Sequence, residues 1–360
     1  MKKNILILTL ISVFYSCSDD SEKIFKGQLK TVEKSTTDKL IGEKIDFDSL
    51  YAGHVFVCNS FISFKHHNYG DYFVATFDIN TGKHIGNSFK IGQAAEEFAD
   101  YLYFLHPDSG CDFWIKEFNR QHYLLVDIVS GKVKKRIDLS DFKKTGGSPF
   151  IQAFILNDSV LLAVNQPEVK NLDDDVMTPK YWYINYLSKE EIDVFELYDE
   201  NLYNKLRGGG IDNNRHLTAT YYIKPDKSKV VGVMNRFYQI NILDVKTQES
   251  KGYRLAGTLG FELIRTYGGR GSEEQYTYRR AAVDDEYIFV MLNNLLTPEI
   301  KPIFHVFDWE GNFVRVLEVD QNGTDFDLDR AQKKLYTKDD EENVWFYDVS
   351  FLYKRHTIHQ

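Results

Sequence analysis

One phrase recurs six times along this chain and limits what it can fold into: an alternating apolar strand, an Asp or Asn, then a turn carrying Gly, Ser or Thr. The first copy covers residues 72–78 and turns at Asn80-Thr81-Gly82. The second, 122–127, turns at Ser130-Gly131, and the third, 181–185, at Ser188-Lys189. The fourth, 237–244, turns at Lys246-Thr247, the fifth, 302–308, at Glu310-Gly311-Asn312, and 344–348 is the last. The residues leading these turns are Asp78, Asp127, Asn185, Asp244, Asp308 and Asp348, at intervals of 49, 58, 59, 64 and 40 residues. Each interval is long enough for four short antiparallel strands and their loops. The side-chain oxygen suits its place because it accepts backbone N–H bonds from the turn, while Gly supplies positive φ.

A second strand-like run precedes each phrase, at 55–64, 113–118, 160–164, 230–234, 287–292 and 334–337. Turn phrases such as Pro107-Asp108-Ser109-Gly110, Pro225-Asp226-Lys227-Ser228 and Asp284-Asp285 come before these runs. The 26 Phe and 23 Tyr fit a pleated surface better than a helix. No long run places apolar residues at helical spacing. The pattern predicts an all-β fold, a six-bladed β-propeller of four-stranded antiparallel blades. A β-sandwich also spaces its strands regularly, but nothing in it requires one phrase six times.

The N-terminus reads as an address. Lys2 and Lys3 precede an apolar run over 5–14, too short to span a bilayer, and small Ser16 precedes Cys17. This predicts a signal peptide over 1–16. Cys17 after a small residue resembles the lipobox of bacterial lipoproteins, although Phe14 and Tyr15 are bulkier than usual there. The resemblance implies that Cys17 is diacylated and becomes the first mature residue, anchoring the chain to a membrane by lipid. An ordinary secretory signal is the alternative. Asp19, Asp20 and Glu22 resemble the surface-export signal of Bacteroidetes lipoproteins, the alternative being a solvated acidic tether. The chain thus divides into signal peptide 1–16, lipidated Cys and tether 17–26, and propeller 27–360. Cleavage removes Lys2 and Lys3 and no acid, taking the net charge from −9 to −11. So acidic a chain is a poor match for nucleic acid, whose phosphates need excess Lys and Arg. Cys58 and Cys111 remain. They can pair in an exported protein or stay as buried thiols, and free thiols are the favoured reading.

Taken together, the lipobox, the acidic segment and the six blades resemble the TolB-like six-bladed β-propeller lipoproteins of Bacteroidetes, related in architecture to NHL-repeat propellers. Two connectors, 91–98 and 267–274, are similar to that family's Gly-x-Gly-Pro-x-Glu-Phe phrase. The first lacks the second Gly and the Pro; the second lacks the Pro and Phe. The resemblance covers nearly the whole mature chain. It implies architecture and an outer-membrane address rather than an activity.

Few motifs carry chemistry. Gly208-Gly209-Gly210 and the run 268–271 lack the Lys-Ser/Thr and the strand-to-helix context of a phosphate loop and read as turns. Asp173-Asp174-Asp175 lacks the alternating ligands and closing Glu of a calcium loop, and reads as a solvated insertion. The ten histidines show no zinc spacing; His66 and His67 are adjacent and point to opposite faces of a strand. No nucleophile elbow is present. No cofactor or metal is expected. Most aromatics belong to the core, while Tyr101, Tyr103, Tyr267 and Tyr276, near connectors, can stack on sugars.

In a propeller the innermost strand of each blade lines a central channel. Blade order places these strands near 44–48, 98–105, 150–156, 216–222, 277–282 and 324–329. Arg279-Arg280 begin one, Arg215-His216 begin another, and Arg265 and Arg270 lie in a connector. In an acidic chain such a group is the best anion-binding candidate, because guanidinium forks match carboxylate and phosphate. The alternative is structural, with each Arg pairing an Asp of the next blade. The predicted site is shallow, at one channel mouth, and built from Arg279, Arg280, Arg270, His216 and Tyr276. The predicted function is a surface-exposed outer-membrane lipoprotein that binds or scaffolds a glycan, peptide or protein partner. The alternative is a propeller lyase or hydrolase using channel carboxylates or calcium. To close the ring, 28–33 is expected as the outer strand of blade 6, with 349–358 as the other choice.

Overall fold

The computed structural model describes residues 20–49, 52–66, 70–92, 97–98, 102–117, 121–140, 142, 150–165, 177–207, 216–258, 260–261, 278–292 and 301–358. Six antiparallel sheets follow one another along the chain, each with its first strand innermost. Blade 1 comprises His54–Cys58, Phe61–Lys65, Tyr72–Asp78 and His84–Lys90. Blade 2 comprises Leu102–Pro107, Asp112–Glu117, His122–Asp127 and Val133–Asp138. Blade 3 comprises Phe150–Ile155, Val160–Asn165, Lys180–Asn185 and Glu190–Glu196. Blade 4 comprises Ala219–Ile223, Lys229–Met234, Gln239–Asp244 and Ser250–Leu255. Blade 5 comprises Tyr278–Val283, Tyr287–Leu292, Ile303–Asp308 and Phe313–Val319. Blade 6 comprises Asp325–Asp329, Lys334–Lys338 and Val344–Asp348, and takes its fourth strand, Glu43–Ile45, from the N-terminus. The fold is the predicted six-bladed propeller.

The repeated phrase works as its chemistry requires. Asp78 accepts the N–H of Thr81 at 2.8 Å, Asp127 that of Ser130 at 2.8 Å, and Asn185 those of Leu187 and Ser188 at 3.0 and 3.1 Å. Asp244 accepts from Lys246 and Thr247, Asp308 from Glu310 and Asn312, and Asp348 from Ser350. Gly82 follows with φ +67°, and a Cβ there would collide with the carbonyl of Asp46. Every blade's third strand therefore ends in a locally held turn.

The core lies between blades rather than within them. Phe113 and Leu124 of blade 2 meet Cys58 and Phe73 of blade 1. Phe289 and Phe304 of blade 5 meet Phe326 and Leu335 of blade 6, and the other four seams are built alike. Both faces of a blade are thus covered. That is why the second strands read as near-continuous apolar runs, as in Val160–Asn165 and Tyr287–Leu292.

Ring closure departs from expectation in its details. The segment Gln28–Val32 does not join blade 6. It pairs in parallel with Ser250–Leu255 as a fifth strand of blade 4. Next, Thr37–Leu40 pairs in parallel with Phe313–Val319 of blade 5. Only then does Glu43–Ile45 pair antiparallel with Val344–Asp348 and close the ring. The alternation at 28–33 marks an edge strand correctly, but alternation does not say which edge. The 349–358 alternative fails because Ser350–Ile358 is a 3-10 helix. The expected first inner strand at 44–48 is displaced for the same reason: its start belongs to blade 6, and His54–Cys58 is the inner strand of blade 1.

Two further findings concern the N-terminal region and the cysteines. Residues 20–26, read from the sequence as tether, pack on the body. Ile24 is wholly buried, Lys26 N–H donates to the Leu197 carbonyl at 2.8 Å, and Glu22 forms an ion pair with Arg254. The short helix Glu200–Arg207 abuts this segment. Cys58 and Cys111, expected as free thiols, form a disulfide, with Cα atoms 5.1 Å apart. Cys58 ends the inner strand of blade 1 and Cys111 sits in the first hairpin turn of blade 2. Ring packing brings together residues that sequence spacing does not relate.

Candidate functional site

The six inner strands enclose a cavity of about 290 Å³ on the ring axis. Every blade contributes: His54, Tyr103, Gln152, Thr220, Arg279 and Asp325 all line it. Each stands within the first three residues of its strand, so one mouth is built from the first ends of all six strands. From this mouth the lining continues inward along the inner strands, to Pro107 of blade 2, Val283 of blade 5 and Asp327 of blade 6.

The two adjacent arginines divide the two alternatives between them. Arg280 is structural. Its guanidinium forms an ion pair with Asp325 of blade 6, donates to the Val55 carbonyl of blade 1 at 2.9 Å, and lies over the Phe56 ring at 5.3 Å. Asp325 also accepts the Val55 N–H at 2.8 Å, and His54 approaches it at 3.4 Å. Burial opposes ionisation of Asp325. The charge of Arg280, with His54 and the Val55 N–H, outweighs burial and holds this carboxyl well below its usual range. Arg279 differs. It is exposed, lines the cavity, and forms no ion pair among the described residues.

Tyr103, expected from the sequence as a stacking aromatic, is exposed and lines the cavity, whereas Asp327, Lys65, His106 and Arg330 are not among the sequence candidates. Asp327 accepts the Val57 N–H at 2.8 Å, and burial pushes its carboxyl up. Lys65 sits over the rings of Tyr103 and Phe104, and burial, then the charge of Arg280, lowers its ammonium to about 7. Burial lowers His106 to about 4. Arg330, just past the inner strand of blade 6, lies at the opposite end of the channel, near Asp327, Asp284 and Asp285. Alternation over Asp325-Phe326-Asp327 was a readable signal for the two carboxylates. Nothing local marked Lys65, which reaches the channel from a second strand.

Of the five predicted site residues, Arg279 and Arg280 come together at the channel. His216 is buried and does not line it. Arg270 and Tyr276 lie outside the described residues, as do Arg215, Arg265, Tyr101, Tyr267, Asp173–Asp175, Gly208–Gly210, Gly268–Gly271 and Cys17. Among the described residues, no three His, Cys, Asp or Glu side chains gather as metal ligands. Nor is any helix among them long and apolar enough to cross a membrane.

No family model matches the chain, and no curated protein does either. Solved structures do resemble it. A member of the DUF4221 family from Bacteroides vulgatus superposes with TM-score 0.55 at 12% identity, over 86% of this chain and 96% of that one. A protein described as exported, from Bacteroides fragilis, superposes with TM-score 0.53 at 10% identity, over 89% of this chain and 99% of that one. At such identities the likeness establishes the architecture alone, a six-bladed β-propeller with neighbours among Bacteroides proteins.

Proposed function

We propose that this chain is an exported, lipid-anchored binding module of the TolB-like kind, displayed at the outer membrane and taking its ligand in the central channel. The observation that carries the reading is Arg279: an exposed guanidinium at the mouth of an axial cavity, with no carboxylate partner among the described residues. A charge held in that position suits an incoming anion. Export is supported by the Ser16-Cys17 signal, by the Cys58–Cys111 disulfide, which suits an oxidising compartment, and by the exported Bacteroides neighbour. Binding is preferred to catalysis because Asp325 and Asp327, the channel carboxylates, each accept a backbone N–H of blade 1 and so serve the seam between blades.

Three experiments test this. Cys17→Ala should abolish fatty-acid labelling; continued labelling would refute the anchor. For display, external protease should reach the protein in intact cells, with Glu22 left in place because it pairs with Arg254. For the channel, ligands from a metabolite, glycan and peptide screen should raise the melting temperature of the wild type but not of Thr220→Trp, which fills the cavity. Hits that stabilise both proteins equally refute a channel site.

A further inference from the structure

The geometry points to an amphipathic organic anion as the channel's ligand: a carboxylate or sulfonate carried on an aromatic or aliphatic body, held by Arg279 at the mouth. This deepens the reading of the channel as a binding site and rests on it.

Several of the cavity's polar groups are already engaged, although His106 Nε2, which also lines it, has no partner among the described residues. Gln152 donates from Nε2 to the Tyr221 carbonyl and accepts the Tyr221 N–H, both at 2.8 Å. The Tyr222 hydroxyl oxygen accepts the Ala281 N–H at 2.9 Å. Asp325, Asp327 and Arg280 tie blade 1 to blades 5 and 6. Each of these bonds joins one inner strand to another, so the groups cannot turn to a ligand without opening a seam. A sugar presents a hydroxyl on nearly every carbon, and each one buried without a partner costs about 1–3 kcal/mol. The groups bound into the seams do not supply those partners.

The walls, in contrast, suit an apolar body. Phe56 and Phe104 stack at 4.6 Å, and Phe113 meets Phe56 edge-on at 5.7 Å. Tyr222, Ile223 and Leu105 add further apolar surface to the lining. The volume, about 290 Å³, sits at the small end of ligand cavities, about 300–1,000 Å³. It holds a compact molecule and excludes a peptide strand or a glycan chain.

Charge sets the orientation. Asp325 neutralises Arg280. Arg330, at the far end, has Asp327, Asp284 and Asp285 near it. Arg279 has no such counter-charge among the described residues and stands one residue nearer the mouth than Arg280. An anionic head on Arg279 therefore leaves the body pointing inward along the aromatic wall, and the guanidinium fork favours carboxylate or sulfonate oxygens.

The test uses a matched pair of probes. 8-Anilinonaphthalene-1-sulfonate and N-phenyl-1-naphthylamine share one ring system, with and without the anionic group; glucuronate is an anion on a hydroxylated body. Titration of the purified protein should show one site for the sulfonate, with the amine about tenfold weaker or worse. Arg279→Glu should weaken the sulfonate by about tenfold or more at unchanged melting temperature and leave the amine unaffected. Arg279→Gln serves the same purpose if the Glu variant does not fold. Thr220→Trp should block the sulfonate, and glucuronate should not displace it. Arg279-dependent binding of glucuronate without the sulfonate overturns the ligand class while the channel reading survives. Sulfonate binding that is equal in wild type, Arg279→Glu and Thr220→Trp overturns both. No sulfonate binding overturns the inference.

Discussion

Blades 4, 5 and 6 each end in a strand drawn from the N-terminal segment, whereas blades 1, 2 and 3 end in bare outer strands. The two halves differ in chemistry accordingly. The bare edges carry Lys134, Lys135 and Arg136 in blade 2 and Glu190, Glu191 and Asp193 in blade 3, and much of their length is exposed. Charge on an open edge discourages pairing with other chains. The covered edge of blade 4, Ser250–Leu255, is buried at all but one position beneath Gln28–Val32. The half without the belt has a covalent staple instead, the Cys58–Cys111 disulfide between blades 1 and 2. In blades 2, 3 and 4 the charge of the outer strand thus follows whether its edge is covered, and the ring is held by different means on its two sides.

The largest effect should come from removing the belt. A chain lacking residues 20–45 loses the fourth strand of blade 6 and the buried Ile24 and Phe25, and should show no cooperative melting transition by calorimetry. A chain lacking only 20–36 keeps Thr37–Leu40 and Glu43–Ile45 and should fold with lowered stability. If the longer truncation melts like wild type, the belt does not close the ring.

Arg280→Ala should come next. It leaves Asp325 buried without its counter-charge, at a cost of about 3–5 kcal/mol in urea denaturation. A loss below about 1 kcal/mol would show that this seam does not depend on the ion pair. In the other half, Cys58→Ser with Cys111→Ser should cost roughly 2–4 kcal/mol. The added hydrogen exchange should be concentrated in blades 1 and 2. Faster exchange spread evenly over all six blades would contradict the idea of two differently held halves.

Acid should reveal one buried histidine in each half. Burial lowers His106 of blade 2 to about 4 and His305 of blade 5 to about 3, from 6.5. Both are neutral when folded, so the unfolded chain binds more protons below about pH 6.5. Their contribution is complete above that pH and is lost as the pH falls through about 4 and then about 3. At pH 5 each should cost about 2 kcal/mol relative to neutral pH. His106→Gln should shallow the acid limb, and a limb unchanged in slope would count against this assignment. Least of all, Arg279→Ala should alter stability by no more than about 0.5 kcal/mol, as exposed substitutions do. A penalty matching that of Arg280→Ala would erase the distinction between the two arginines.

The features legible in the sequence are local ones. The six Asp or Asn turns, the inner-strand position of Arg279 and Arg280, and the count of six blades follow from hydrogen bonds that span two to four residues and from alternation within single strands. Such contacts form wherever the short segment occurs, so the segment alone encodes them. The tertiary structure decided the rest. Arg280 finds Asp325 across 45 residues and Val55 across 225, Asp325 finds Val55 across 270, and Cys58 finds Cys111 across 53. Gln28–Val32 has the pattern of an edge strand and three possible edges among blades 4, 5 and 6. These partners meet only when six blades close into a ring. The closure sets which strand ends face one another, and no periodicity within one segment carries that information.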